Sequence, residues 1–419
     1  MNLSSDNSTR WRALALLQLC LLMFVSMTSV QSFAAEPSRA TNGIKMGLAR
    51  LHPSFEFSTR YDSYAVQLTE TGKAGDLILR FRPGLALELP SAHYELRLRG
   101  AVDYAHYLGV ESDKSKDASY VGARASIDLQ VKPSDTFIIE LSDGLRRSDE
   151  TSAPTLQVGV LSLYNDTSLK LRWRPWRGTL AIEPSYLLTT EVFSSRNDYD
   201  NLGCSNGFGC MGWEVNESSY LNHAFGLATR WNFLPKSTFL FDLRLRMRRY
   251  LGDNGVDSDS VVASVGASSI LLPRLTIGAA FGWAQEFDGI YSNPIARLTL
   301  TYALTAQSKL SLGYERAFQP TPSTKWVAYS TDRVYLDVGF LFAGRFALDA
   351  SLQGTFTGYR ADGNEVLDTQ QFDAKLKGAW EIFSWLRTGL SYRFTYSDQL
   401  AGITDFTRHD ATFFLELSY

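Results

Sequence analysis

The stretch "DATFFLELSY", Asp410 to Tyr419, sets Phe413, Leu415, Leu417 and Tyr419 against Thr412, Phe414, Glu416 and Ser418. A repeat of two puts alternate side chains on opposite faces of a strand. Chain ends of water-soluble proteins are commonly frayed and polar. A terminal strand with a large apolar row therefore needs something to cover that row.

The other end of the chain narrows the choice. Behind Arg10 and Arg12 runs "ALALLQLCLLMFVSMTSV", followed by "QSFAAEPS", with Ser32 and Ala34 around Phe33. A basic start, an apolar run and small residues at its exit make residues 1–34 a secretory signal peptide, cut after Ala34. A transmembrane anchor is the competing reading, because the run is about long enough to span a bilayer. Cys20 follows Gln18 and Leu19, where a lipoprotein site would carry small residues, and reads as a thiol in a hydrophobic segment. Cys204 and Cys210 are the thiols left after cleavage, which suits an oxidising compartment. A net charge of −3 points to neither nucleic acid nor an anionic membrane surface as partner.

Beyond the signal the texture does not change, and no linker or low-complexity tract divides the chain. "LILRFRPGLALEL" (77–89) puts Leu77, Leu79, Phe81, Leu85, Leu87 and Leu89 on one face, with Arg80, Arg82 and Glu88 on the other. "YELRLRGAVDY" (94–104) repeats this with Arg97 and Arg99. "FLFDLRLRMRRY" (239–250) opposes Phe239, Phe241, Leu243, Leu245 and Met247 to Asp242, Arg244, Arg246 and Arg248. Helical spacing would scatter these arginines; strand spacing lines them up.

The connections alternate short and long. "LPSA" (89–92), "PWRG" (175–178), "LFAG" (341–344) and "IFSW" (382–385) are short; 108–119, 194–218, 251–259 and 319–330 are long and polar. Short turns on one side and long loops on the other mark outer-membrane barrels, whose turns face the periplasm. Eight turns and nine loops predict eighteen antiparallel strands with both ends periplasmic. A soluble sandwich would share the alternation. Two features disfavour it: strands longer than ordinary globular ones, and aromatics gathered at strand ends. Trp173, Trp231, Trp380, Trp385 and Tyr419 lie near the turns; Tyr107, Tyr250, Trp283 and Phe287 lie near the loops. Two such girdles describe a barrel in lipid. The expected organisation is a signal peptide (1–34), a short periplasmic segment (35–50) and an all-β outer-membrane barrel (51–419). In lipid every strand edge must be paired, so the last strand closes on the first. Its row Phe413, Leu415, Leu417 and Tyr419 then faces lipid, and fits the C-terminal signal read by the outer-membrane assembly machinery.

"LHPSFEFSTRYDSY" (51–64) followed by "LILRFRPGLALEL", and "LSLGYERAFQ" (310–319) followed by "STDRVYLDVGF" (330–340), resemble the β-barrel porin family called beta-barrel porin 2. Similar barrels of myxobacteria accompany exopolysaccharide secretion loci. The resemblance implies a conduit for polysaccharide in the outer membrane of a Gram-negative bacterium. Because residues 35–45 are too few for a receiving domain, it also implies a separate periplasmic export protein. A general or small-solute diffusion porin is the alternative, and needs no such partner.

Parity places Arg80, Arg82, Arg97, Arg99, Arg172, Arg174, Arg244, Arg246 and Arg248 toward the lumen, with fewer acids, among them Glu88, Asp103, Glu183 and Asp242. A basic excess in a wet pore favours anions; cross-strand pairs that brace the wall are the plainer role. Catalysis finds no footing. His106, His223 and His409 fall on the lipid parity, and no Ser/His/Asp set or metal-ligand cluster emerges, so neither an enzyme nor a cofactor is expected. "CSNGFGC" (204–210) holds Gly and Asn that permit a tight ring. A disulfide Cys204–Cys210 would staple the longest loop, which either turns inward or stands outside. Mass spectrometry of a non-reduced digest is expected to recover these two cysteines linked; two alkylatable thiols in oxidised native protein would contradict this.

Overall fold

The structure is a computed structural model that describes residues 43–67, 73–148, 160–195, 219–252, 257–287, 292–320, 326–361, 366–399 and 406–419. The signal peptide and the Cys204–Cys210 loop lie outside the described residues. The strands in chain order are β1 Ile44–Met46, β2 Ala49–Gln67, β3 Lys73–Pro90, β4 Tyr94–Tyr107, β5 Tyr120–Ser134, β6 Phe137–Ser148 and β7 Val160–Trp173. Next come β8 Leu180–Ser195, β9 Tyr220–Leu234, β10 Ser237–Tyr250, β11 Ser258–Leu272, β12 Leu275–Glu286 and β13 Ser292–Ala303. The chain ends with β14 Lys309–Pro320, β15 Trp326–Phe342, β16 Phe346–Ala361, β17 Val366–Phe383, β18 Leu386–Gln399 and β19 Phe406–Ser418.

From β2 to β19 each strand pairs antiparallel with the next, and β19 returns to β2: an 18-strand closed barrel. The nineteenth strand, β1, is a three-residue hairpin arm on β2, with Lys45 opposite Arg50. The first barrel strand thus starts at Ala49, two residues before the expected boundary at 51. The short connections fall where the turn chemistry put them. Gly178 and Gly344 take φ of 87° and 69°, the left-handed region that glycine enters without a Cβ clash.

Outward rows carry the apolar load. Trp173, Trp231, Trp283, Phe287, Trp380, Trp385 and Tyr419 are exposed on the lipid side. Tyr107 and Tyr250 correct the girdle reading: the ladder pairs Tyr107 with inward Ile78, and Tyr250 with inward Tyr220. Tyr107 is buried with Ile78, Ala105, Ala118 and Tyr120. Both strands outrun the apolar band, so an aromatic at the strand end packs inside the mouth instead of meeting headgroups.

Closure is made at the β19–β2 seam. Outside, Phe413, Leu415 and Leu417 stand opposite Thr59, Phe57 and Phe55. The Tyr419 N–H donates to the Pro53 carbonyl at 3.1 Å. Inside, Arg408 donates twice to Asp62, at 2.9 and 2.5 Å. Arg60 reaches Asp62 at 2.6 Å and Asp410 at 2.7 Å. Asp62 is buried, so two guanidiniums depend on it. Removing one partner of a buried charge network strands the other. Asp62→Ala is expected to lower stability by about 3 kcal/mol, seen as an earlier urea midpoint for the compact, unboiled gel band. Arg408→Met added to it should recover part of the loss; an unchanged midpoint for Asp62→Ala would remove this network from closure.

Candidate functional site: the lumen wall and its mouth

The inward face is a set of charge clusters set by strand register. Arg80, Arg82 and Arg124 converge on the buried Asp103 at 3.5, 2.9 and 3.8 Å, and Arg82 also meets Glu56 at 3.0 Å. Arg97 bonds Glu95, and Arg99 lies 3.5 Å from Asp128. Lys170, Arg172 and Arg230 gather on Glu183 at 3.0, 2.9 and 3.6 Å. Arg297 and Arg333 share Glu315. Apart from Arg97–Glu95, which lies within β4, each set spans neighbouring strands, which is the geometry of a brace.

Two sequence expectations change here. Arg174 lies past the end of β7, in a periplasmic turn, with its N–H on the Thr136 carbonyl. The expected surplus of inward base also shrinks. Register adds Glu56, Asp62, Asp76, Glu191, Glu286 and Asp410 to the inward acids, against Arg60, Arg146 and Arg408. Most of these lie toward the extracellular strand ends, beyond the segments whose alternation was clearest.

The basic excess that remains is local. Arg244, Arg246 and Arg248 climb β10 at steps of roughly 7 Å, level with Gly226, Ala224 and Asn222 on β9 and with Val262, Ser260 and Ser258 on β11. Arg244 bonds Asp242 at 2.9 Å, and Arg248 lies over the Tyr220 ring at 4.3 Å. The short neighbours on β9 open a recess of about 490 Å³, lined also by Lys170, Glu183 and Tyr164. This row borders the recess, whereas the other clusters tie neighbouring strands together.

The mouth is narrowed by residues 108–119. Asp76, fully buried on β3, accepts from the Gly109 and Val110 N–H groups at 3.0 and 2.9 Å and from Ser115 Oγ at 2.6 Å. Glu111 accepts from the Gly75 N–H at 2.5 Å. A 3-10 turn, Asp113–Ala118, is thereby laid on the inward face, where Ala118 packs on Ile78, Ala105 and Tyr107. On the exposed side of this turn, the hydrogen bond from Lys116 and then its charge hold the Asp113 carboxyl below the usual range. Sequence parity could not show this latch, because one carboxylate reaches across a loop. The expected role of the Cys204–Cys210 loop as a constriction falls outside the described residues; the constriction described here is another loop.

Burial follows the same axis. At extracellular strand ends the inward Asp103, Ser148, Ser162, Glu191, Phe193, Ser258 and Glu286 are buried. Toward the periplasm the side chains of Arg97, Arg99 and Arg230 are 45%, 54% and 53% exposed. Inward side chains are thus open near the short turns and covered near the long loops. His223 and His409 face outward and bond Tyr186 and Tyr392 at 2.8 and 2.7 Å; His106 stacks on Tyr104. Among the described residues no group of three His, Cys, Asp or Glu could hold a metal.

Solved structures share this architecture. The chain is similar to OpdK of Pseudomonas aeruginosa, solved with vanillate, at a TM-score of 0.51 and 9% identity, covering 88% of this chain and 99% of that one. It is also similar to OccK2 (OpdF) of P. aeruginosa, solved with glucuronate, at 0.48 and 13%, covering 88% and 98%. The siderophore receptor PirA of P. aeruginosa gives 0.44 and 12%, covering 90% and 81%. No family model matches the chain, and no curated protein does. At these identities the likeness is one of fold. It supports a porin-like barrel and leaves the link to exopolysaccharide loci unsupported. The chain therefore has the fold of a Gram-negative outer-membrane β-barrel.

The latch carries a direct test. Asp76→Ala removes the acceptor that holds 108–119, and the loop should leave the wall. Single-channel conductance in planar bilayers is expected to rise, and trypsin to cut after Lys116 faster than in wild type. Unchanged conductance would place the constriction elsewhere.

Proposed function

We propose that the barrel is a passive diffusion channel for small hydrophilic solutes, with a preference for anions. The observation that carries this reading is the narrowed mouth: a loop anchored by the buried Asp76 lies on the inner wall above a wet vestibule. A small-solute filter needs such a constriction. The Arg244–Arg246–Arg248 row, flanked by short side chains, supplies the local positive field. The plainer role, wall bracing, suits the clusters on Asp103, Glu183 and Glu315 better than it suits this row.

Polysaccharide export with a periplasmic partner, the expectation attached to the resemblance, calls for a mouth that passes a hydrated chain; the buried inward side chains at the extracellular ends favour diffusion instead. The outward row Phe413, Leu415, Leu417 and Tyr419 suits recognition by the assembly machinery under either reading.

Replacing Arg244, Arg246 and Arg248 by Gln should lower anion over cation permeability in bilayer recordings while the protein stays heat-modifiable. Deleting the gene should slow uptake of small anionic solutes and leave surface polysaccharide intact. Lost polysaccharide with normal uptake would overturn diffusion in favour of export, and unchanged ion selectivity would return the row to bracing.

A further inference from the structure

On the inner wall, strand β9 is the floor of a groove between two taller strands. Across Gly226, Ser185 on β8 faces Arg244 on β10; across Ala224, Leu187 faces Arg246. The two walls stand roughly 10 Å apart, two strand spacings. The floor cannot be raised at Gly226, because a Cβ there would come within 2.5 Å of Ser185 Oγ.

The groove has ends as well as sides. Below, Glu183 is held by Lys170 at 3.0 Å and by Arg172 at 2.9 Å. Above, Arg248 lies over the Tyr220 ring, whose hydroxyl donates to Glu191 at 2.9 Å. The enclosed 490 Å³ falls within the range of small-molecule sites, about 300–1,000 Å³. A bounded recess holds a solute, where a bare row of charge only attracts one.

Its chemistry is two-sided. Five basic and two acidic side chains line the recess. Both acids are already engaged, Glu183 by Lys170 and Asp242 by Arg244, so the positive surplus lies along β10. One guanidinium fork already fills a planar carboxylate, whereas the oxygens of a phosphate take two guanidiniums from one row. Opposite, the hydroxyls of Ser185 and Thr189 flank Leu187, a mixture that suits the hydroxyls and C–H face of a sugar ring. At the top of the groove Asn222 Oδ1 is buried and, among the described residues, has no hydrogen-bond partner. An unmet buried acceptor is costly. A turn of the carboxamide toward the recess lets a ligand hydroxyl satisfy it, since that torsion is soft.

We propose that this recess is a binding subsite for a phosphorylated monosaccharide. The phosphate lies between Arg244 and Arg246, and the ring rests on Ala224 against Leu187. The subsite rests on the diffusion reading and deepens it: solutes of this class pause here, so their passage saturates.

The test records single channels of the full protein in planar bilayers, in chloride, with glucose 6-phosphate added. It should interrupt the current saturably, with a half-blocking concentration about tenfold below those of inorganic phosphate and of glucose. Arg246→Gln should raise that concentration about tenfold, the loss of one charge-assisted contact. Ala224→Phe fills the floor without changing charge, so block should vanish while the anion preference and the compact unboiled band remain. Ala224→Leu replaces it if the larger side chain blocks assembly. Equal block by inorganic phosphate would mean an anion site without sugar recognition and would overturn the proposal. So would the absence of block, or block that neither Arg246→Gln nor the filled floor alters. These results leave the diffusion reading standing, because that reading is judged by anion preference alone.

Discussion

Everything in this molecule depends on one pairing, β19 with β2. A backbone amide or carbonyl left open in hydrocarbon costs several kcal/mol, so a sheet in lipid is stable only when it has no edge. The eighteen strands are local hairpins, each formed with its neighbour in sequence, until this long-range contact is made. The seam is reinforced differently on its two faces. Outside it offers Phe and Leu to lipid; inside it spends four charged side chains, Arg60, Asp62, Arg408 and Asp410, within hydrogen-bonding distance of each other. The inner charges also fix register, because a slip of one residue would turn the whole row outward.

Closure in turn creates two environments along one axis. Near the periplasm the inner wall meets water, and its ion pairs are partly exposed braces. Near the outside the strands run beyond the membrane and lean on one another and on residues 108–119, so that carboxylates such as Asp76, Asp103 and Glu191 become buried. Buried carboxylates need donors, and they find them in backbone amides, arginines and Tyr220. The mouth is thus narrowed by polar chemistry, with only a small apolar patch around Ile78 and Tyr107.

Much of this was legible in the sequence. Alternation in "FLFDLRLRMRRY" fixes which face Arg244, Arg246 and Arg248 occupy, since each strand's parity is a local property. Turn residues set the strand number for the same reason. What was not legible depends on where the membrane band stops. Tyr107 and Tyr250 have the girdle composition, yet they sit on inward rows above the band. Glu56, Asp62 and Asp410 lie on inward rows whose partners are strands at opposite ends of the chain, and nothing local announces that. Asp76 precedes the quoted strand by one residue, and its role comes from the loop it holds.

The account's central claim is the closure of β19 on β2 in the stated register, which sets Ser418 opposite Ser54. Cysteines at these two positions, in a chain whose own Cys204 and Cys210 are replaced by Ser, test it most directly. The account predicts that they link on mild oxidation, so that the boiled, non-reduced protein migrates as a covalent ring and reduction restores the linear band. No link between 54 and 418, or preferential linking of 418 with a cysteine at Glu56 instead, would contradict it.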